Sequence, residues 1–126
     1  MAVSVISNNT QCRVSSVLNR DVKQFGKQFM FDANEETCWN SDQGKSQWVV
    51  LEFPAPVRVS ELRVQFQGGF SGRSCTLEGK KNTLACFPIS QDGPVVQKLK
   101  IVFENSADFF GRIIVYSLDI LGEQDL

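Results

Sequence analysis

Residues 48–66, with the sequence WVVLEFPAPVRVSELRVQF, decide the fold class. Apolar side chains recur at every second position on both sides of the segment Pro54-Ala55-Pro56: Val49, Leu51 and Phe53 before it, and Leu62, Val64 and Phe66 after it. A period of two is typical of strands that bury one face, whereas helices repeat about every 3.6 residues. The stretch therefore predicts two strands, and the short connection favours their pairing as antiparallel neighbours.

Further strands follow the same rule towards the C-terminus. Leu99, Ile101 and Phe103 share one face, as do Ile114, Tyr116, Leu118 and Ile120. Weaker strands are predicted at residues 11–17, 74–77 and 84–89, and a short helix-like stretch at residues 21–29. Short strands separated by turn residues are typical of sandwiches and barrels. The sequence therefore predicts a single all-β domain over residues 1–126.

Composition excludes several classes of function. The chain has 126 residues, a formal net charge of -1 and no histidine. The missing histidine excludes Ser-His-Asp triads, Cys-His dyads and His-ligated zinc. The near-neutral charge argues against a broad phosphate-binding face, so we expect no direct nucleic-acid partner. Apolar runs are only a few residues long, so we also expect no membrane partner.

Cysteine spacing and the N-terminal residues predict an intracellular protein. The four cysteines stand at Cys12, Cys38, Cys75 and Cys86, without a Cys-x-x-Cys pair, which favours separate reduced thiols. The first ten residues lack the basic and apolar regions of a secretory signal.

The segment from Phe31 to Trp39 contains a candidate cation site. Asp32, Asn34 and Thr37 are spaced so that their oxygens can curl around a hard cation such as calcium, which takes 6–8 oxygen ligands. Residues 32–42 also contain four acids and no base, an arrangement that favours solvation or a bound cation. The alternative is an ordinary turn in which Asp32 accepts backbone hydrogen bonds. Both interpretations stay open at this point.

Three stretches carry a family resemblance: residues 31–39, residues 47–53 and residues 58–62. They resemble the discoidin domain, also called the coagulation-factor type C domain, with a galactose-binding-like fold. The resemblance implies an antiparallel β-sandwich of jelly-roll type with about eight strands. Relatives carry roughly one more strand, so the segment between residues 78 and 87 looks one strand short.

The resemblance also implies a set of calcium ligands. These are Asp32 and Thr37, Asn34 through its carbonyl, the backbone carbonyl of Phe29, and Glu123 from the last strand. The ion would be structural and would bring the two acidic zones of the chain together. Ala33 stands where the wider family usually has glycine, and a positive φ there would strain alanine by ~1 kcal/mol or more.

A closer resemblance implies a function. Residues 13–20, 35–44, 65–70 and 108–112 resemble a vertebrate family of nuclear-receptor-associated repressors. It implies a non-enzymatic intracellular protein, located in the nucleus and also in the cytoplasm. This protein would repress transcription by binding an orphan nuclear receptor directly. The alternatives are a carbohydrate-binding module, which the intracellular prediction disfavours, and an adaptor in a larger intracellular assembly.

Two loops contain candidate partner-binding residues. In the glycine-rich loop at residues 68–73, Phe70 can stack on a ring and Arg73 can pair with an acid. In the loop at residues 108–112, Phe109 and Phe110 are adjacent and cannot share one side of a strand, so we expect one to be an exposed anchor. The alternative is a plain surface turn with Phe70 tucked inward. Both tryptophans are predicted to lie in the core rather than to form sugar platforms.

Overall fold

The computed structural model describes residues 3–67, 72–78, 83–85, 95–106, 108 and 110–124, with the backbone alone for 72–78, 83–85 and 105–106. The described strands are β1 (Val3–Ser4), β2 (Gln11–Val14), β3 (Trp39–Asn40), β4 (Ser46–Phe66), β5 (Gly72–Glu78), β6 (Thr83–Ala85), β7 (Val95–Ser106) and β8 (Ile114–Glu123). Every described pairing is antiparallel, in the order β1-β8-β4-β7-β5-β6, with β2 on β4 and β3 on β8. The predicted antiparallel β-sandwich is confirmed.

Strand β4 connects the two layers of the sandwich, and here one prediction is wrong. Residues 49–53 and 62–66 are not antiparallel neighbours but two parts of one strand. The first part pairs with β2 and β7, and the second part pairs with β8. The β4–β7 register shifts between Glu52 and Val57. Proline fixes an extended φ and has no N–H to donate, so Pro54 and Pro56 fit this interruption of the ladder without ending the strand.

The hydrophobic core lies between the two parts of β4 and the strands beside them. The predicted apolar face of the first part is buried, with Val49 and Leu51 at 0% exposure and Phe53 at 1%. Leu99, Ile101 and Phe103 lie beside them on β7, the neighbouring strand, and Leu62 and Ile120 join the same core from the second layer. Full burial of each such side chain contributes ~1.5–3 kcal/mol. The alternation in the sequence thus predicted these core positions.

The face of β8 changes along the strand, which the sequence pattern did not indicate. Leu118 and Ile120 are buried as predicted, but Val115 rather than Tyr116 enters the core at the start of the strand. The β4–β8 register shifts here, because Gln65 pairs with Ser117 whereas Phe66 pairs with Val115. The extra residue of a bulge moves all preceding side chains to the other face.

The weaker predictions are met in part. The strand predicted at residues 11–17 ends at Val14, and the one predicted at 74–77 lies within β5. Residues 83–85 form β6, whereas 86–89 lie outside the described residues. The helix-like stretch is a single turn, α1 (Val22–Phe25), followed by a 3-10 turn (Lys27–Met30). Among the described residues, no helix has the length and apolar character needed to cross a membrane.

Candidate functional site

Strand register brings several connecting segments to one end of the sandwich. Ser46 pairs with Glu104, Gly72 with Ser106, and Phe66 with Val115. The segments that follow or precede these residues therefore share one end, which we call the loop end: residues 15–17, 41–45, 67 and 108–113. The N–H of Gln67 donates to the carbonyl of Ile114 at 3.0 Å. The described residues at the ends of the two loops with candidate partner-binding residues thus lie at the same end of the scaffold.

A buried glutamine holds the loop end together. Gln47 is 3% exposed. Its Oε1 accepts hydrogen bonds from the hydroxyls of Ser15, at 2.5 Å, and Ser16, at 2.8 Å, and its Nε2 donates to the carbonyl of Asp42 at 2.9 Å. The Ser16 carbonyl also accepts from the indole Nε1 of Trp39 at 2.9 Å. One side chain therefore ties three chain segments together beneath the surface.

The loop at residues 108–112 is fixed by the carboxylate of Asp108. Oδ2 accepts from the N–H of Phe110, the N–H of Arg112 and Arg112 Nε, each at 3.1 Å, while Oδ1 accepts from Arg112 Nη2 at 3.3 Å. The Phe110 ring is 52% exposed, and the Arg112 guanidinium carbon lies 5.8 Å from its centroid. The loop thus presents a half-exposed aromatic residue beside the pair of Asp108 and Arg112.

A glycine allows this loop to approach its neighbour. Gly111 has φ +81°, and a Cβ there would lie 1.9 Å from the Gly44 carbonyl oxygen. The N–H of Gly44 in turn donates to the Phe110 carbonyl at 3.2 Å. A side chain at position 111 is therefore excluded both by backbone conformation and by space.

Electrostatics at the loop end keep Asp108 charged. The hydrogen bonds from the Arg112 guanidinium lower the pKa of the Asp108 carboxyl below its ordinary value. The same hydrogen bonds raise the pKa of Arg112. Both groups therefore stay ionised across the physiological range, and the pair acts as a structural clamp under the Phe110 ring.

The four predicted partner-binding residues have different outcomes. Phe110 is described and is 52% exposed, in agreement with the expectation that one of the two adjacent aromatics is exposed. Phe70 and Phe109 lie outside the described residues. Arg73 is the second residue of β5. It follows Gly72, which pairs with Ser106 at the loop end. Their role in binding stays a prediction.

The Asp32 loop is a compact turn with converging oxygens. Asp32 Oδ1 accepts from the N–H of Asn34 at 3.0 Å, and Oδ2 accepts from the Thr37 hydroxyl at 2.5 Å. The Asn34 carbonyl accepts from the N–H of Thr37 at 3.3 Å. The Thr37 hydroxyl lowers the pKa of the Asp32 carboxyl. Ala33 has φ 57°, so the strained conformation expected at this position is present.

The donor set of this loop suits a hard cation in part. The Asp32 carboxylate, the Asn34 carbonyl and the Thr37 hydroxyl are all oxygens, the ligand type that calcium prefers. The same atoms also satisfy one another as a capped turn, which is the alternative interpretation. Among the described residues, no group of three or more His, Cys, Asp or Glu side chains suits a metal ion.

The two remaining predicted ligands lie on other elements. Phe29 is within the 3-10 turn just before the loop, and its N–H donates to the Gly26 carbonyl at 3.3 Å. Glu123 is exposed at the end of β8, opposite Arg58. A cleft of about 410 Å³ separates Ala33 from Asp119 on β8, and Glu123 is not among the described residues that line it. The structure thus brings Asp32, Asn34 and Thr37 together.

Comparison with curated proteins identifies the family. The chain is 69% identical to the nuclear receptor 2C2-associated protein of Danio rerio, over 142 aligned positions that cover all of both chains. It is 50% identical to the Homo sapiens protein of the same name, covering 98% of this chain and 99% of the human one. The chain belongs to the nuclear receptor 2C2-associated protein family. No family model matches the chain.

Solved structures place this member of the nuclear receptor 2C2-associated protein family within a wider fold. An F5/8 type C domain from Bacteroides fragilis matches with a TM-score of 0.75 at 14% identity, covering 98% of this chain and 97% of that one. A family 32 carbohydrate-binding module of Clostridium perfringens, in complex with galactose, matches with a TM-score of 0.73 at 11% identity, covering 96% and 99%. The predicted resemblances to the discoidin fold and to a nuclear-receptor-associated family are therefore confirmed.

The Danio rerio alignment also bears on length. Its 142 positions against the 126 residues of this chain leave 16 positions without a residue here. A shortening relative to that member of the nuclear receptor 2C2-associated protein family is therefore real. Its predicted place, between residues 78 and 87, falls largely on 79–82 and 86–87, which lie outside the described residues.

Two important residues were not recognised from the sequence. Gln47 is a polar residue in a strand, and its position just before the alternating apolar face was the only available signal. Trp48 was predicted to lie in the core, which is wrong. It is half-buried on the outer face of β4, because it alternates with the core residue Val49, and it is absent from the core cluster among the described residues.

Proposed function

We propose that this domain binds nuclear receptor 2C2 directly through its loop end and represses receptor-driven transcription without catalysing a reaction. The family supports the partner, because the relatives are named for their association with that receptor. The observation that supports the surface is the Phe110 ring, 52% exposed on a clamped loop. Exposed aromatic side chains are common anchors of protein interfaces.

Pre-organisation strengthens this choice of surface. The Asp108 carboxylate holds the N–H groups of Phe110 and Arg112, so binding would order few additional groups. Association is favoured when less conformational freedom is lost. The residues most similar to a coregulator Leu-x-x-Leu-Leu helix, 118–121, lie within β8. A folded surface is therefore a better candidate for receptor binding than a helical peptide.

The direct test measures binding of the purified receptor to the full chain. Phe110→Ala should weaken binding by about tenfold or more, as truncation of an interface anchor does. Val95→Ala is the control, because Val95 is 47% exposed at the start of β7, the end remote from the loop end. Equal affinities of the two variants would contradict this surface. Phe70→Ala, Arg73→Ala and Phe109→Ala test the other predicted contacts.

Repression and location need a cellular measurement. A receptor-driven reporter should be repressed by the wild-type chain and less by Phe110→Ala at equal protein level. Imaging of the tagged chain tests the proposed nuclear and cytoplasmic distribution. Unchanged reporter activity despite tight binding in vitro would refute repression while leaving receptor association intact.

The carbohydrate-module alternative has its own test. Galactose titration and a glycan array are suitable probes, since a fold neighbour was solved with galactose. Sugar binding that is lost in Phe110→Ala, without receptor binding, would favour that alternative. Co-purification of a stable multi-protein assembly lacking the receptor would favour the adaptor role.

A structural calcium ion in the Asp32 loop is also part of the proposal. The convergence of the Asp32, Asn34 and Thr37 oxygens supports it. Millimolar calcium should raise the melting temperature of the purified chain relative to a chelator, and Asp32→Ala should abolish the rise. Asp42→Ala, in the neighbouring acidic stretch but outside this loop, is the matched control. Equal melting with calcium and with chelator would rule the ion out.

A further inference from the structure

A groove lies between the β2 edge of one sheet and the turn that contains α1. Its cavity volume is about 310 Å³. Apolar side chains and two cations share its lining: Arg13, Val14, Val17, Val22, Lys27 and Trp48. Ligand clefts span roughly 300–1,000 Å³, so this groove is at the lower limit of that range and is large enough for one large side chain.

Through Trp48 the groove adjoins the outer face of the sheet. Trp48 pairs with Val102 and Val50 pairs with Lys100, which puts these four side chains on one face. Val50 and Val102 are at most 9% exposed, yet neither belongs to the core cluster of the described residues. Lys100 Nζ lies 5.3 Å from the Trp48 ring centroid. This face therefore combines an aromatic ring with cationic groups at its rim.

The charged side chains that line the groove are of one sign. Arg13 pairs with Val50, so its side chain extends over the same outer face, and Lys27 lines the opposite wall. Both are exposed, and neither has a salt-bridge partner among the residues that the structure describes. None of the described lining residues is acidic. Glu52 lies further along the same face, opposite Lys98.

The wall that faces β2 is preformed. Asp21 Oδ1 accepts from the N–H of Gln24 at 3.2 Å and caps α1. Gln28 Nε2 donates to the Val22 carbonyl at 2.7 Å across the turn. A Cβ on Gly26 would lie 2.5 Å from that same carbonyl, so glycine is required for this tight path. The exposed Val22, at 57%, is thus held at the rim of the groove.

We propose that this groove binds a peptide segment of a partner protein in which one large apolar side chain is flanked by carboxylates. The apolar side chain enters between Val17 and Trp48, and the carboxylates pair with Arg13 and Lys27. Charge complementarity selects this occupant, because bare apolar segments would leave both cations unused. A nucleic acid is disfavoured, since the chain has a net charge of -1 and the lining is largely apolar. The groove shares Val17 with the loop end, but Phe110 is not among its described lining residues, so variants at Phe110 and at Lys27 test the two sites independently.

Tryptophan fluorescence gives a direct readout. Trp39 is 0% exposed, so a change on binding reports the half-buried Trp48. The probe is an acetylated peptide with one central phenylalanine between two triplets of aspartate. It should quench or shift the emission saturably, and added salt should weaken the binding because screening reduces charge pairing. Two control peptides carry serine in place of the phenylalanine or asparagine in place of the aspartates. Each should bind with an affinity at least about tenfold lower.

Charge reversal tests the named residues. Lys27→Glu should weaken peptide binding by about tenfold, the range of a lost charged hydrogen bond. Lys23→Glu is the matched control, since Lys23 is exposed on α1 itself but is not among the lining residues. A peptide with lysine in place of aspartate should bind Lys27→Glu better than the wild-type chain. Both sites are exposed, so both variants should keep the wild-type melting temperature.

Three results would overturn the proposal. One is equal loss of binding in Lys23→Glu and Lys27→Glu, which would indicate a diffuse charge effect. Another is equal binding of the serine and phenylalanine peptides, because the apolar pocket would then have no role. The third is tighter binding of a single-stranded oligonucleotide than of the acidic peptide. Phe110→Ala should leave peptide binding unchanged, so failure of this site and failure of receptor binding at the loop end are distinguishable.

Discussion

The substitution Gln47→Ala tests how the loop end is held in place. It removes an acceptor for the Ser15 and Ser16 hydroxyls and a donor to the Asp42 carbonyl, all at 2.5–2.9 Å. A buried polar group left without its partner costs ~1–3 kcal/mol. The two hydroxyls are partly buried and can rotate towards water, so we expect a total loss of about 3 kcal/mol. For a domain of this size, that lowers the melting temperature by about 10 °C.

Urea unfolding and thermal melting measure this loss, with Gln43→Ala as control. Gln43 is exposed on the neighbouring loop, so the same substitution there should change stability by ~0.5 kcal/mol at most. Amide hydrogen exchange gives the local readout. The N–H of Asp42 donates to Ser16 Oγ and that of Trp48 to Ser15 Oγ, so both should exchange faster in Gln47→Ala. If Gln47→Ala and Gln43→Ala have the same melting temperature, Gln47 does not hold these segments in place.

The remaining predictions concern three other positions. Gly122→Ala should destabilise the fold by about 1–3 kcal/mol in urea unfolding, because the alanine Cβ would lie 1.9 Å from the Arg58 carbonyl oxygen. A variant with wild-type stability would refute this close approach. Burial raises the pKa of Cys12 to about 11, so iodoacetamide at pH 8 should modify it far more slowly in the folded chain than in urea, and equal rates would contradict its burial. The lowered pKa of Asp108 stabilises the fold above the ordinary carboxyl pKa, and this stability is lost as the pH falls below about 4. Asp108→Asn should therefore lose less stability than the wild type on acidification, and parallel acid melting curves would show that the clamp is absent.

The sequence predicted the core well where side-chain alternation is uninterrupted. Side-chain alternation alone predicted the burial of Val49, Leu51, Ile101 and Phe103, because one face of each strand is wholly apolar. Tyr116 was misassigned because a bulge changes the face without changing the composition of the strand. The connection at Pro54 was misread as a turn, since prolines also occur where a strand loses its ladder partners.

The candidate site was predictable to a smaller extent. The prediction that Phe109 or Phe110 is exposed used a local argument, namely that two adjacent aromatics cannot share one side of a strand, and Phe110 is indeed 52% exposed. The role of Gln47 depends on residues more than thirty positions away, so no local pattern encodes it. The groove at Trp48 likewise needs β2, β4 and α1 in their folded places. Local chemistry is visible in the sequence, whereas contacts between distant segments are not.

The pairing of β8 has a consequence for synthesis in the cell. This strand pairs with β1, β3 and the second part of β4, and Val3 lies opposite Gly122. Those partners leave the ribosome well before residues 114–123, so the second layer of the sandwich cannot close during most of translation. The second part of β4 is meanwhile an apolar strand with an open edge, which is prone to association. A nascent chain stalled before residue 114 should therefore require a chaperone that covers exposed strands.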